Sequence, residues 1–249
     1  MIIGGAGILS VNFKFMKFLK KIFAALTETL SLRYSNSKRY YAQDGEDATL
    51  FSFYETKGDY KGFYVDIGAM HPYRFSNTQM FYDRGWRGIN IDATPGVMKL
   101  FRRKRPRDIN IEAGISDTYG TADYYNFEEG AFNSFNKIIS ETRIENGIRL
   151  KEIIKIDTFP INDILEKNLP LGQKIDFITI DVEGLEELIL KTLDFSKYAP
   201  DYLLVEELSF VTRDFSEYRT PISDIATAKG YIPLAKTQRT VIFRKKDDN

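Results

Sequence analysis

Phe63-Tyr64-Val65-Asp66-Ile67-Gly68-Ala69 is an apolar run that ends in a glycine turn, and Ile89-Asn90-Ile91-Asp92 is a second run whose closing acid falls 26 residues after Asp66. A buried strand, a glycine turn, a helix-length segment and a strand ending in a carboxylate make the opening of a nucleotide-binding α/β unit. The closing acid, Asp92, stands where it can accept hydrogen bonds from both hydroxyls of a ribose. A single glycine does not make Gly-x-Gly-x-x-Gly, so a pyrophosphate cradle is poorly supported and a cofactor with a ribose and no phosphate fits better. S-adenosylmethionine is such a molecule.

Outward from these two runs, strands and helices alternate. Short apolar segments rich in β-branched and aromatic residues at 63–69, 88–93, 108–115, 175–181 and 201–207 read as strands. Helix-length segments separate them at 77–84, 95–105, 183–193 and 222–229, which argues for a parallel sheet covered on both faces. Tyr231–Lys236 and Thr240–Lys245 are joined only by Thr237-Gln238-Arg239, too short for a crossover helix, so they must pair as an antiparallel hairpin. A mostly parallel sheet ending in such a hairpin is the topology of class I methyltransferases, a Rossmann-like three-layer α/β sandwich. The stretch 117–174 is an insert with strands expected at 122–127 and 153–157 and a helix at 161–167, in the position where substrate specificity usually resides.

At 249 residues with 43% hydrophobic content, one substantial core is expected, at 41–249, with no second globular domain. The chain has no cysteine, which excludes thiolate chemistry and fits a reducing, cytoplasmic setting. Net charge is zero, yet residues 1–40 carry seven Lys/Arg against one acid. This leader contains Phe13-Lys14-Phe15-Met16-Lys17-Phe18-Leu19-Lys20-Lys21-Ile22-Phe23, an amphipathic helical pattern suited to an anionic membrane surface, a partner groove or packing on the domain itself. No apolar stretch is long enough to span a bilayer. No nucleic-acid partner is expected.

In an open parallel sheet, ligands bind at the carboxyl ends of the strands. Those ends fall at Asp66 to Met70, Asp92, Gly114 to Asp117, Asp181 to Gly184 and Glu206-Glu207. All five carry carboxylates, which implies a polar ligand along one rim. Asp181, Glu183 and Glu207 would form a hard-oxygen set for Mg²⁺ or Mn²⁺. His71, Asp181 and Glu207 are the candidate catalytic bases. Ser116, after the third strand, is placed for the adenine side of the cofactor. The run Arg102-Arg103-Lys104-Arg105-Pro106-Arg107 either attracts a phosphorylated or nucleotide-linked sugar or is the solvated end of a helix.

Tyr64 to Pro72, Arg74-Phe75-Ser76-Asn77-Thr78, Gly85 to Asp92 and Ile180-Asp181-Val182-Glu183-Gly184-Leu185-Glu186 together resemble the FkbM family of S-adenosylmethionine-dependent methyltransferases, from about Gln43 to about Glu207. The resemblance implies O-methylation of a sugar or polyketide hydroxyl. It also implies cofactor contacts around Asp66, Gly68, Ala69, Ser76, Asn77, Asp92 and Ala93. The expected acceptor is a sugar, sugar phosphate or nucleotide sugar on its way to a surface glycan or glycosylated metabolite. Two rivals stand beside it: a metal-dependent glycosyltransferase with Asp181-Val182-Glu183 as its cation clamp, and a non-catalytic membrane-associated binding module.

Overall fold

The computed structural model describes residues 15–25, 27, 39–207 and 219–247. The chain divides into two units, Met1–Arg39 and Tyr40–Asn249. In the first, residues 15–25 form a helix, α1. Phe13, Lys14 and most of the rest of the expected leader lie outside the described residues.

The second unit starts with α2 (Glu46–Ser52) and then alternates β1 (Phe63–Ile67), α3 (Gln79–Asp83), β2 (Arg87–Asp92), α4 (Val97–Lys104) and β3 (Ile109–Glu112). After the insert the alternation resumes with β7 (Phe177–Ile180), α7 (Glu186–Thr192), α8 (Phe195–Tyr198), β8 (Tyr202–Glu206) and α9 (Pro221–Ala228). It closes with the hairpin β9 (Tyr231–Lys236) and β10 (Thr240–Lys245). These strands form a seven-stranded sheet in the order β3-β2-β1-β7-β8-β10-β9. All neighbours are parallel except β10, which runs antiparallel to both β8 and β9. This is the class I methyltransferase sandwich expected from the sequence.

The pleat sorts side chains between the two faces. Phe63, Val65 and Ile67 of β1, with Ile178 and Ile180 of β7 and Leu203 and Val205 of β8, face a core completed by Ile189, Leu190, Ile222 and Ala226. Tyr64, Phe177, Leu204 and Ile242 point the other way, onto Leu50, Tyr54, Met80, Phe81 and Trp86. The second core is an aromatic cluster, with Phe81 and Phe177 rings 4.7 Å apart and Tyr54 edge-on to Trp86 at 4.9 Å. Alternate residues of one strand therefore serve two cores, which specifies the register strongly.

The insert builds a sheet of its own. The expected strand 108–115 splits at Ala113: β3 stays in the main sheet, whereas β4 (Gly114–Ser116) leaves it to pair with β6 (Leu150–Pro160). On its other side β6 pairs antiparallel with β5 (Gly120–Phe127), giving a three-stranded sheet β4-β6-β5. The helices α5 (Lys137–Glu145) and α6 (Ile161–Asn168) precede and follow β6 in the chain. The sequence pattern indicated β5, β6 and α6 but not α5, whose Lys137-Ile138-Ile139-Ser140-Glu141 carries a weak apolar period and buries only Ser140.

Candidate active site

Parallel register brings the carboxyl ends of the four central strands level: Ile67 pairs with both Ile91 and Ile180, and Ile180 with Val205. The chain goes from β1 to β2 on one side and returns to β7 on the other, so the strand order reverses at β1, the position where such sheets take ligands. A cavity of about 530 Å³ opens there. Its floor is Gly68, Asp92, Ala93, Asp181, Glu183 and Glu206, and its cover comes from the insert, with Tyr124, Glu129 to Phe135 and Arg143. That volume is the size of a small-molecule site.

The turn after β1 is held tightly. Gly68 has φ +87, and a Cβ there would stand 1.7 Å from the Asp181 carbonyl oxygen, so only glycine allows this approach of the two strand ends. Gly68 and Ala69 both donate their amides to the Ile91 carbonyl, at 2.9 and 3.1 Å. Among the described residues three non-glycines adopt positive φ, Met70, Phe75 and Glu183, and all three line the cavity. Strained backbone of this kind persists where the surroundings over-determine it, as at ligand sites.

On the β2 side, Asp92 Oδ1 accepts the Thr94 amide (2.7 Å) and Oδ2 the Met70 amide (2.8 Å). Each oxygen keeps further lone pairs for a ligand's hydroxyls. Burial raises the Asp92 pKa and the two amides counter that rise. Thr94 Oγ1 contacts the Tyr124 hydroxyl at 2.8 Å and accepts from Asn133 Nδ2 at 3.1 Å, which fastens the insert over this end of the cavity. The Tyr124 and Phe135 rings lie 4.7 Å apart.

On the β7 side, Asp181, Glu183 and Glu206 each place a carboxylate oxygen within 4.8 Å of the others. Register explains the cluster: with Ile180 beside Val205, the next residues along, Asp181 and Glu206, lie side by side. Desolvation, and then repulsion from neighbouring acids, raises Glu206 to about 8 and Asp181 well above the usual carboxylate range. Two such groups share protons rather than both ionising. Glu183 is raised by burial and held back by Arg143, whose guanidinium donates to it at very close range and to the Phe132 carbonyl at 2.8 Å. The third acid of the motif, Glu186, accepts the amides of Val182 (2.9 Å) and Gly184 (3.0 Å) and so shapes the turn.

Gly68, Asp92, Ala93, Asp181 and Glu183 thus meet in one cavity; the other expected residues do not line it. The expected metal ligand and base Glu207 is replaced by Glu206: its amide donates to the Arg239 carbonyl (2.6 Å) and its own carbonyl accepts Lys236 Nζ (2.8 Å), so it continues the strand pairing. His71 is turned into its own loop, where Nδ1 accepts the amides of Tyr73 (3.1 Å) and Arg74 (3.0 Å), and burial lowers its pKa. Ser116 is carried off with β4 and bonds Asp117, while Ala113 and Ile115 face the cavity. Ala69 packs beside Met98 and Phe101.

Asp66, Ser76 and Asn77 lie beneath the floor. Asp66 has the pleat of Tyr64 and points under the loop, where Thr78 Oγ1 donates to it at 2.6 Å; burial raises its pKa to about 6. Arg105, from the run read as basic surface, is fully buried. It donates to Thr78 Oγ1 (2.7 Å), Ser76 Oγ (2.7 Å), Gln79 Oε1 (2.9 Å) and the Pro72 carbonyl, and so fastens the whole loop 72–79. Asn77 Nδ2 ties that loop to Thr179 on β7 at 2.9 Å.

Sequence reasoning missed the rest of the lining. Gln43 and Arg239 enter from segments far apart in the chain, joined because Arg239 Nη1 donates to both carboxylate oxygens of Asp44 (2.9 and 2.8 Å) and Thr237 Oγ1 donates to Glu46 (2.7 Å). The Gln43-Asp44-Gly45-Glu46 stretch, a turn that feeds α2, was the visible signal. Arg74 reaches Glu129 across the cavity mouth at 2.8 Å.

Residues 66–232 match the family model "Methyltransferase FkbM domain". No curated protein matches the sequence. Among solved structures, the chain is similar to the Burkholderia thailandensis 1,6-didemethyltoxoflavin-N1-methyltransferase with bound 1,6-didemethyltoxoflavin and S-adenosylhomocysteine. That likeness has 10% identity and a TM-score of 0.40, over 99% of this chain and 93% of that one. It is similar also to a Bacillus cereus O-methyltransferase in complex with SAH, at 12% identity and a TM-score of 0.40 over 90% and 91%. Those overlaps are loose, and the strand order carries the fold. With two thirds of its length inside the matched region and the motif residues Gly68, Asp92, Asp181 and Glu183 gathered in one cavity, the chain belongs to the FkbM methyltransferase family.

Proposed function

We propose that the protein transfers the methyl group of S-adenosylmethionine to a hydroxyl of a sugar, free, phosphorylated or nucleotide-linked. The observation that carries this reading is the division of one cavity into two chemically different halves. Around β2, Asp92 offers two carboxylate oxygens spaced for a ribose diol, beside Gly68 and the Tyr124 ring. Around β7 and β8, three carboxylates and the guanidiniums of Arg143 and Arg239 offer the dense array of donors and acceptors that a polyhydroxy acceptor requires.

The chemistry asked of the protein is modest. As the acceptor oxygen forms its bond to the methyl carbon, the carbon–sulfur bond breaks and its electron pair stays on sulfur, so the sulfonium becomes the thioether of S-adenosylhomocysteine. The hydroxyl proton passes to the Asp181–Glu206 pair, within hydrogen-bond reach of a group bound there. A cationic sulfonium in the same cavity favours the ionised form of those carboxyls, which burial alone disfavours. Positioning of the two reactants supplies the remainder.

The same three carboxylates form a donor set suited to Mg²⁺ or Mn²⁺, which would bind adjacent sugar hydroxyls and lower the pKa of the one attacked. Proton sharing is preferred because Arg143 already neutralises Glu183. The test is incubation with labelled S-adenosylmethionine and a panel of sugars, sugar phosphates and sugar nucleotides, with and without a chelator. Label is expected on a hydroxyl oxygen, with a mass gain of one methylene unit, in both arms, and none with Asp181→Asn. Transfer only to nitrogen, or to no carbohydrate at all, would refute the acceptor class; transfer abolished by the chelator would favour the cation.

A further inference from the structure

The helix α1 (15–25) carries a pattern of its own. At about 100° per residue, Phe18, Ile22, Phe15, Leu19, Phe23 and Met16 follow one another around an arc of about 160°. All six are exposed, from 41% at Ile22 to 71% at Phe23. The opposite arc holds Lys20, Lys17 and Lys21 with the small Ala24 and Ala25, and no acid falls within the helix. We propose that α1 is an interfacial anchor that lies flat on an anionic lipid surface, its apolar arc in the acyl boundary and its lysines against the headgroups.

Four features select that occupant. An exposed apolar face this large and continuous marks an interaction site. The arc is broader than the two-in-seven seam of a coiled coil, so a single partner helix would leave much of it in water. An anionic headgroup layer complements a polar arc whose charged residues are all lysines, a complementarity that a second copy packed apolar face to apolar face would leave unused. Lysines at 17, 20 and 21 fall in successive turns of the described helix, which suits a helix lying in the interface plane rather than one crossing a bilayer core. No helix of the described residues is long and apolar enough to cross a membrane.

The test is flotation of the full chain with vesicles of phosphatidylcholine alone and of phosphatidylcholine containing one quarter phosphatidylglycerol. The chain is expected to float with the anionic vesicles and to be released by high salt. Lys17→Ser/Lys20→Ser/Lys21→Ser is expected to weaken that partition about a hundredfold, at roughly fivefold per lysine. Phe18→Glu/Ile22→Glu is expected to abolish it, with the melting temperature of each variant unchanged. Equal binding to neutral vesicles, or unchanged binding of either variant, overturns the proposal. So does a fall in melting temperature of the apolar-face variant, which would show packing on the protein itself. Concentration-dependent dimerisation lost in that variant, without vesicle binding, would assign the face to a second copy and likewise overturn it.

Discussion

Alanine in place of Gly68 tests the junction on which the cavity is built. Gly68 has φ +87, and holding an alanine in the left-handed region costs about 1–2 kcal/mol. The added Cβ would also lie 1.7 Å from the Asp181 carbonyl oxygen and 2.7 Å from its carbon, both backbone atoms. The ends of β1 and β7 must then part by about 1.5 Å to restore ordinary contact, at the point where the Asp181 amide donates to the Ile67 carbonyl (3.0 Å). Overpacking of that kind adds about 1–3 kcal/mol. The sum, about 2–5 kcal/mol, corresponds to a melting temperature lower by about 5–15 °C for a chain of this size. Gly147 is the internal control, with φ +84 and nothing within 4 Å of a built Cβ, so Gly147→Ala bears the conformational cost alone and falls by only about 3–6 °C. Thermal unfolding followed by circular dichroism reads both. Equal losses in the two variants would refute the close approach, as would a Gly68→Ala protein that still binds S-adenosylhomocysteine at wild-type affinity.

Three further outcomes are expected. Arg105→Met removes a fully buried cation that fastens the loop above Asp66, and denaturant titration should show about 3–5 kcal/mol of lost stability. The raised Glu206 and Asp181 pKa values mean that, from about pH 4.5 to about 8, the folded state holds protons the unfolded chain has released; stability therefore falls as pH rises through that window. Melting curves of Glu206→Gln/Asp181→Asn should be flatter across that range, and an unchanged slope would place the titration elsewhere. Asp181→Asn alone should hold S-adenosylhomocysteine within a few-fold of wild type by calorimetry while losing turnover, and equal loss of both would contradict the division of the cavity.

The sheet could be read from the sequence because its physics is local. Apolar runs of strand length, each closed by a glycine or an acid, gave β1, β2, β7 and β8, and the three-residue link at 237–239 forced the hairpin. Asp92, Gly68 and Asp181 followed from strand ends alone. What escaped depended on features that only register and topology decide. Glu206 and Glu207 are chemically identical neighbours, and only the pairing of Ile180 with Val205 determines which stands beside Asp181. Asp66 shares the pleat of Tyr64 and so points beneath the floor. Arg105 looks like its neighbours Arg103 and Arg107 in a basic run, yet it is the one turned inward. Ser116 was misplaced because the chain leaves the main sheet at Ala113, a departure that no residue in Glu112-Ala113-Gly114 announces. Gln43 and Arg239 come together from opposite ends of the domain, beyond the reach of any local pattern.

The central claim, that this cavity seats the methyl donor with its ribose on Asp92, is tested most directly by calorimetric titration of S-adenosylhomocysteine into the wild-type chain and into Asp92→Ala. Loss of two hydrogen bonds to a charged group, at about 1.5 kcal/mol each, predicts binding to the wild type and affinity weaker by about a hundredfold in the variant. Absence of heat with the wild type, or the same dissociation constant for both proteins, would contradict it.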